Sequence, residues 1–230
     1  MLKFDFLTPK CRNLCLLTSV SKCIFVPIMP TTIPRRSRKA QIDRTATALF
    51  RARGFAATSM RELATELGLE AGSLYSHIKS KEEILHRVCF GLAEEFFAGF
   101  DAATVTATTP IAAQLRQAIE AHVRVLTRDS AASAVFLHEW RHLSEPARTE
   151  FLALRDRYEG SFRQLIQHGI ATGELHAPDA AFAALTLLAS LNWLPAWYRP
   201  DGKLAPDEVA HRLAEQLLNG MRNGDRELKS

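Results

Sequence analysis

Residues 58–81 read TSMRELATELGLEAGSLYSHIKSK, and how this stretch divides decides the fold. Thr58 and Ser59 carry short hydroxyl side chains of the kind that cap a helix start. Met60, Leu63, Ala64 and Leu67 recur at helical spacing and make one apolar face. Gly68 follows at once, the residue that best tolerates the left-handed conformation ending many helices. Leu69 is apolar and plugs the corner. Glu70 to Ile78 predicts a second short helix, with Leu74 and Ile78 inward and Ser73, Tyr75 and His77 outward. Two short helices around a glycine turn make the helix-turn-helix pattern, whose second helix enters the major groove of DNA.

Upstream, Ser37 to Arg53 predicts a first helix with Ile42, Ala46, Leu49 and Phe50 as its inner stripe and Gly54 as its stop. Its surroundings are basic. Arg35, Arg36, Arg38, Lys39, Arg44, Arg51, Arg53 and Arg61 stand against Asp43 as the one acid between Arg35 and Arg61. The net charge of +4 and the pI near 9.0 are modest for the whole chain. Clustered beside a helix-turn-helix, though, these arginines form the electrostatic footprint of phosphate binding. A merely solvated basic face is the plain alternative. Residues 1–34 hold apolar runs broken by Lys10, Arg12, Lys22 and several prolines. No run matches the ~7–15-residue apolar core of a signal peptide. Met29 reads as the biological start, with residues 1–28 an upstream mis-start or a disordered leader. The arm after Met29 keeps Arg35, Arg36 and Arg38, and such arms reach into minor grooves.

Downstream, Ser80-Lys81-Glu82-Glu83 reads as a capping box. It opens a fourth helix running to about Phe100, with Ile84, Leu85, Val88, Leu92, Phe96 and Phe97 apolar. The Thr-rich stretch Asp101–Thr109 breaks the pattern. Further helices follow from Thr109-Pro110 to about Thr127, over Ser130–Leu143, and from Ala147 to Ala171, where Gly173 closes the run. Asp179 caps Ala180–Tyr198, which Pro195 interrupts, and Pro206 opens a last helix to Met221. About nine helices and no sustained polar–apolar alternation predict an all-α fold. Its parts are an N-terminal extension (1–34), a helix-turn-helix DNA-binding domain (35–82) and a helical ligand-binding and dimerisation domain (83–230). No apolar stretch reaches the ~20 residues that span a bilayer, so no membrane partner is expected. Cys11, Cys15, Cys23 and Cys89 form no CxxC pair or disulfide framework. A reduced, cytoplasmic setting fits.

The run GFAATSMRELATELGLEAGSLYSHIKSKEEIL now carries a resemblance. It resembles the DNA-binding domain of the tetracycline-repressor (TetR) family of bacterial regulators, over Arg38 to Val88. Ile78 stands where the family usually has Phe, a change that bears on packing. The resemblance implies a homodimer on a palindromic operator in double-stranded DNA, released when a small molecule binds the C-terminal domain. It implies phosphate contacts from Arg38, Thr58, Ser59 and Arg61 around the start of the second helix. Ala71, Gly72, Ser73 and Leu74 would face base edges, and Tyr75, His77 and Lys81 would anchor the backbone. Physical chemistry agrees: Gly72 and Ser73 are small enough for a helix to sit deep, and the Tyr75 hydroxyl can donate to a phosphate.

FLHEWRHLS, LRDRYEGSFRQLIQHGI and NWLPAWYRPDGKLAPDEVA are also similar to TetR-family regulators that respond to acyl-CoA thioesters. By that resemblance an aromatic cavity takes the acyl chain and arginines pair with the CoA phosphates. Phe136, Trp140, Arg141, Phe151, Arg155, Tyr158, Trp193 and Trp197 are the candidate pocket residues; at helical spacing such aromatics also serve as plain core. The last two helices carry more apolar surface than one monomer face needs. Leu185, Leu188, Ala189, Val209, Leu213 and Leu217 are therefore candidates for a four-helix dimer interface, with intrachain core the alternative.

His138-Glu139-Trp140-Arg141-His142 is a literal H-E-x-x-H, the zinc-hydrolase signature when it lies on a helix. Both histidines would then share a face one turn apart, with Glu159 as a conceivable third ligand. The sequence thus favours a non-enzymatic, cofactor-free regulator, with a zinc hydrolase and a ligand-independent DNA-binding protein as rivals.

Overall fold

The computed structural model describes residues 38–106 and 108–221. Arg35, Arg36, Cys11, Cys15, Cys23 and the N-terminal extension lie outside the described residues. Among the described residues there are ten α-helices, one 3-10 turn and no strand.

Helix α1 (Arg38–Arg53) buries Ile42, Ala46, Leu49 and Phe50, the stripe its spacing predicts. Gly54 ends it with φ +86. Helix α2 (Met60–Glu66) starts with a true capping box, Ser59 Oγ accepting from Glu62 N–H and Ser59 N–H donating to Glu62 Oε2. Its C-terminus is a Schellman motif around Gly68, at φ +63, with Leu69 N–H bonded to Ala64 O and Gly68 N–H to Thr65 O. Only glycine takes that backbone shape at no steric cost, and the resulting corner turns the chain into α3 (Ala71–Tyr75). Helix α3 is shorter than the Glu70–Ile78 span predicted, because Ser76 and His77 continue only as a turn and Ile78 lies beyond it. Leu74 and Ile78 still anchor it in the core.

Helix α4 (Lys81–Thr104) opens on a Ser80 cap, but Glu83 reaches Lys79 N–H rather than Ser80 N–H, so the predicted box is only half formed. The central element is α5 (Ile111–Arg128), packed against α4, α7 and α10. Helix α6 (Ser130–His138) is followed by a 3-10 turn, Trp140–His142. Helix α7 (Ala147–Ala171) matches its predicted bounds and closes at Gly173, φ +76. The predicted Ala180–Tyr198 helix is two pieces, α8 (Ala180–Asn192) and α9 (Leu194–Trp197), broken before Pro195. The segment Ala180–Trp197 is long and apolar enough by composition to cross a membrane, yet it is folded as these two helices of the bundle. Helix α10 (Pro206–Asn219) lays Val209, Ala210, Ala214 and Leu218 on α5.

Val209, 2% exposed, and Leu188, 8% exposed, are therefore core residues of one chain, which corrects their assignment to a dimer surface. From Ala180 to Trp197 the exposed large apolar residues are Phe182, Leu185, Trp193 and Trp197, while Leu213 and Leu217 of α10 are half-buried.

Candidate functional site

Helix α3 presents Ala71, Gly72, Ser73 and Tyr75 to solvent, and His77 follows them. Tyr75 is 54% exposed, so its ring and hydroxyl are open to a partner outside the chain. Gly72 is not at a positive φ, and a Cβ built on it meets nothing within 4 Å. Neither backbone shape nor internal packing explains a glycine there, so the empty space lies outside the molecule. Leu74 is fully buried, which withdraws it from the residues expected at base edges: in a five-residue helix one side must hold the core. Ser59 and Arg61 are exposed at the start of α2, and Arg38, Lys39 and Arg44 line α1. Arg38 bonds Gln41. Lys79, exposed beside Tyr75 in the hollow bounded by Ser59 and Met60, is a cation the sequence reading passed over; its place between His77 and Ser80 was the available signal.

Two expected phosphate anchors have other employment. Thr58 is buried, its hydroxyl donating to Gly54 O. Lys81 Nζ donates to Phe55 O at 2.8 Å and Thr58 O at 2.9 Å, and lies 4.4 Å from the Phe55 ring centre. These carbonyls sit where α1 ends and α2 has not begun; Phe55 O also accepts Thr58 N–H at 3.2 Å. Lys81 thereby rivets the first residue of α4 to the corner of the helix-turn-helix.

The same corner holds the residues of the H-E-x-x-H run. Helix α6 ends at His138, Glu139 is its cap and His142 sits in the 3-10 turn, so the one-turn helical spacing on which the metal geometry depends is absent. Glu139 Oε2 accepts Phe55 N–H at 3.1 Å, and the His142 ring stacks on Phe55 at 5.3 Å. The described residues contain no group of three or more His, Cys, Asp or Glu placed to hold a metal. Glu159, the conceivable third ligand, faces Arg163 instead. Two further ties fix the head to the body: Arg87 pairs with Asp43, and Arg51 donates to Ser130 Oγ at 2.8 Å.

Within the body lies a cavity of about 400 Å³, in the range of small-molecule sites. Its walls include Phe96 and Phe97 of α4, Phe136 of α6, Phe151, Arg155 and Tyr158 of α7, and Leu188 of α8. Four predicted pocket residues are thus brought together. Trp140 sits behind Phe151, ring centres 6.1 Å apart, and Arg141 lies over Trp140 rather than in the wall. Trp193 and Trp197 are 66% and 47% exposed and do not line the cavity, which corrects their assignment to it. His122 and Asn192 line it and were missed. His122 is wholly buried, and that burial pushes its imidazole down to about 4, partly opposed by its hydrogen bond to Asn192. Arg155 and Arg141 flank the Trp140 ring at 5.0 and 5.8 Å, and neither forms an ion pair among the described residues. Desolvation lowers the Arg155 guanidinium, with Asp156 opposing and Arg141 adding to the shift. Cys89, the described cysteine, is buried and its thiol pushed up to about 12, so it is inert.

Residues 42–88 match the family described as bacterial regulatory proteins, tetR family, and residues 108–221 match the tetracyclin repressor-like C-terminal domain. The crystal structure of the TetR-family regulator PfmR from Thermus thermophilus shares 34% identity, covering 78% of this chain and 97% of PfmR with a TM-score of 0.69. The chain belongs to the TetR family. It is a DNA-binding transcriptional regulator, of a family of regulators rather than enzymes. The curated repressor KstR2 from Mycolicibacterium smegmatis is 25% identical over 187 residues, 80% of this chain and 91% of KstR2. The structure of AibR in complex with isovaleryl coenzyme A and operator DNA shares the fold, with 24% identity, 79% and 98% coverage and a TM-score of 0.68.

Proposed function

We propose that this chain is a cytoplasmic, homodimeric repressor that leaves a palindromic operator when an apolar or acyl-CoA-type ligand fills its cavity. One observation carries the reading: α4 belongs to both sites. Its first residue, Lys81, grips the helix-turn-helix corner, and Phe96 and Phe97 on the same helix line the cavity. Those positions are about 22 Å apart along a continuous helix. The α6 end repeats the arrangement, Phe136 in the wall and Glu139 on Phe55 N–H. A ligand that shifts either helix therefore shifts the head.

In the bound state Ala71, Gly72 and Ser73 face base edges. Tyr75, His77, Lys79, Arg61, Ser59 and Arg38 serve the phosphates. Specificity comes from the first set and salt-dependent affinity from the second. The exposed Phe182, Leu185 and Trp193 supply an apolar surface for a symmetry mate, joined by Ala189, Leu213 and Leu217. The acyl-CoA class is supported by Arg141 and Arg155 around Trp140, which suit phosphates beside an apolar cavity. In AibR the same fold carries an acyl-CoA and operator DNA together. A hundredfold release requires the ligand to favour the DNA-free conformation by about 2.8 kcal/mol.

Selection of bound duplexes from random DNA, followed by footprinting, tests the reading. The expected result is an inverted repeat whose half-site centres lie ~34–36 Å apart or a multiple of that. Enrichment of no sequence, or of single unpaired sites, refutes it.

A further inference from the structure

Three polar side chains from three helices meet in the cavity wall. Tyr158 Oη of α7 lies 3.1 Å from His122 Nδ1 of α5, and His122 Nε2 lies 3.2 Å from Asn192 Oδ1 of α8. An amide oxygen only accepts, so His122 donates from Nε2 to Asn192, and its Nδ1 accepts the Tyr158 hydroxyl proton. The chain runs one way: Tyr158 to His122 to Asn192. It consumes the Tyr158 proton, both imidazole nitrogens and the Asn192 oxygen. What remains is acceptor capacity on Tyr158 Oη and both N–H donors of Asn192 Nδ2, which bond no protein group among the described residues.

The surroundings of this triad are hydrocarbon, with Phe96, Phe136, Phe151 and Leu188 among the lining. Arg155 and Asp156, which also line the cavity, are solvent-exposed and so belong to its mouth. The cations nearest to Tyr158 along α7, Arg155 and Arg157, are solvent-exposed, and the triad's own basic member, His122, is kept neutral near pH 7 by burial. A carboxylate brought there would lose its hydration without gaining a partner charge. A neutral carbonyl or hydroxyl loses little and finds a donor or an acceptor waiting.

We propose that the inner end of the cavity selects a neutral oxygen function, a ketone or a hydroxyl on an apolar body, through Asn192 Nδ2 and Tyr158 Oη. A free carboxylate is excluded there and is tolerated only at the mouth. The inference rests on the reading of the cavity as the effector site, and it narrows that effector's class. An acyl-CoA satisfying both would carry its thioester and nucleotide outward and a further neutral oxygen on its buried end. The same triad joins α5, α7 and α8, so a ligand that engages it also bears on the relative placement of those helices.

Displacement of the neutral dye Nile red from the full chain at pH 8 tests this with a matched C10 series: decan-2-one, decan-1-ol, n-decane and decanoate. Expected is displacement by the ketone and the alcohol at concentrations at least tenfold below those needed for decanoate. Asn192→Asp keeps an acceptor for His122 Nε2 and removes the amide donors. It should weaken decan-2-one at least tenfold more than it weakens n-decane. Asn192→Leu, with folding checked by thermal melt, should do the same without adding charge. Equal binding of decanoate and decan-2-one, equal losses for ketone and alkane in both variants, or no displacement by any of the four overturns the proposal. Operator release is read separately by anisotropy. If the neutral ligands bind as expected and no effector releases DNA, the regulatory reading fails and this one stands. If an acyl-CoA releases DNA while the C10 series shows no preference, this one fails alone.

Discussion

Gly72→Ala separates what α3 does for the protein from what it does for DNA. The added methyl meets no atom within 4 Å, and Gly72 does not sit at a positive φ, so the folded chain accepts it. Alanine is a better helix former by about 0.5–1 kcal/mol, so the melting temperature should hold or rise. Outside the protein the consequence reverses. The methyl adds about 1.5 Å of reach to a helix face proposed to lie against base edges. Displacing one good base contact costs about 1–3 kcal/mol, or roughly 5- to 150-fold in affinity, for each half-site. Fluorescence anisotropy of a labelled operator, paired with a thermal melt of the same preparation, reads both quantities. Wild-type affinity in the variant would refute the placement of α3 in the groove. Loss of binding accompanied by an equal loss of stability would show that the glycine serves the fold, contrary to the empty space beside it.

Lys81→Met should lower stability by about 1.5–3 kcal/mol, because Lys81 Nζ bonds the carbonyls of Phe55 and Thr58. Denaturant melts check this; an unchanged midpoint, with the salt slope of DNA binding reduced by about one, would return Lys81 to the phosphates. His122 makes the fold sensitive to acid: its folded pKa of about 4 lies below the unfolded value of about 6.5. Its contribution is complete above pH ~6.5 and is lost as pH falls towards 4, about 3 kcal/mol in all; stability profiles of wild type and His122→Gln that keep a constant gap over that window would contradict it. Leu185→Glu places a charge on an exposed apolar face and should shift the dimer–monomer balance towards monomer in sedimentation velocity, with the monomer still folded. An undisturbed dimer would move the interface elsewhere.

Most of the fold was legible because its punctuation is chemical. Gly54, Gly68 and Gly173 all sit at positive φ where the helical pattern stops, and Asp179 caps α8 through the N–H groups of Ala181 and Phe182. The helix-turn-helix was legible for the same reason. What escaped was the choice of partner by long or polar side chains. Lys81 looked like a phosphate ligand because its carbonyl acceptors lie 23 and 26 positions away in sequence. H-E-x-x-H looked like a metal site because spacing alone cannot reveal that α6 ends at its first histidine. Trp193 and Trp197 share a helical face with either role open, and both stand exposed, one on each side of Pro195. His122 and Asn192, 70 positions apart, gave no periodic signal. A lone histidine inside the Ile119–Val123 apolar stripe was the clue to pursue.

The link between cavity and reading head is most directly tested by one titration. An acyl-CoA is added to the operator complex while tryptophan emission reports on the cavity, beside which Trp140 stands, and anisotropy reports bound DNA. With α4 and α6 shared between the two sites, both signals should move together, with one midpoint and a fall in operator affinity of about a hundredfold. A saturating change in tryptophan emission with DNA still bound at its original affinity would contradict the link.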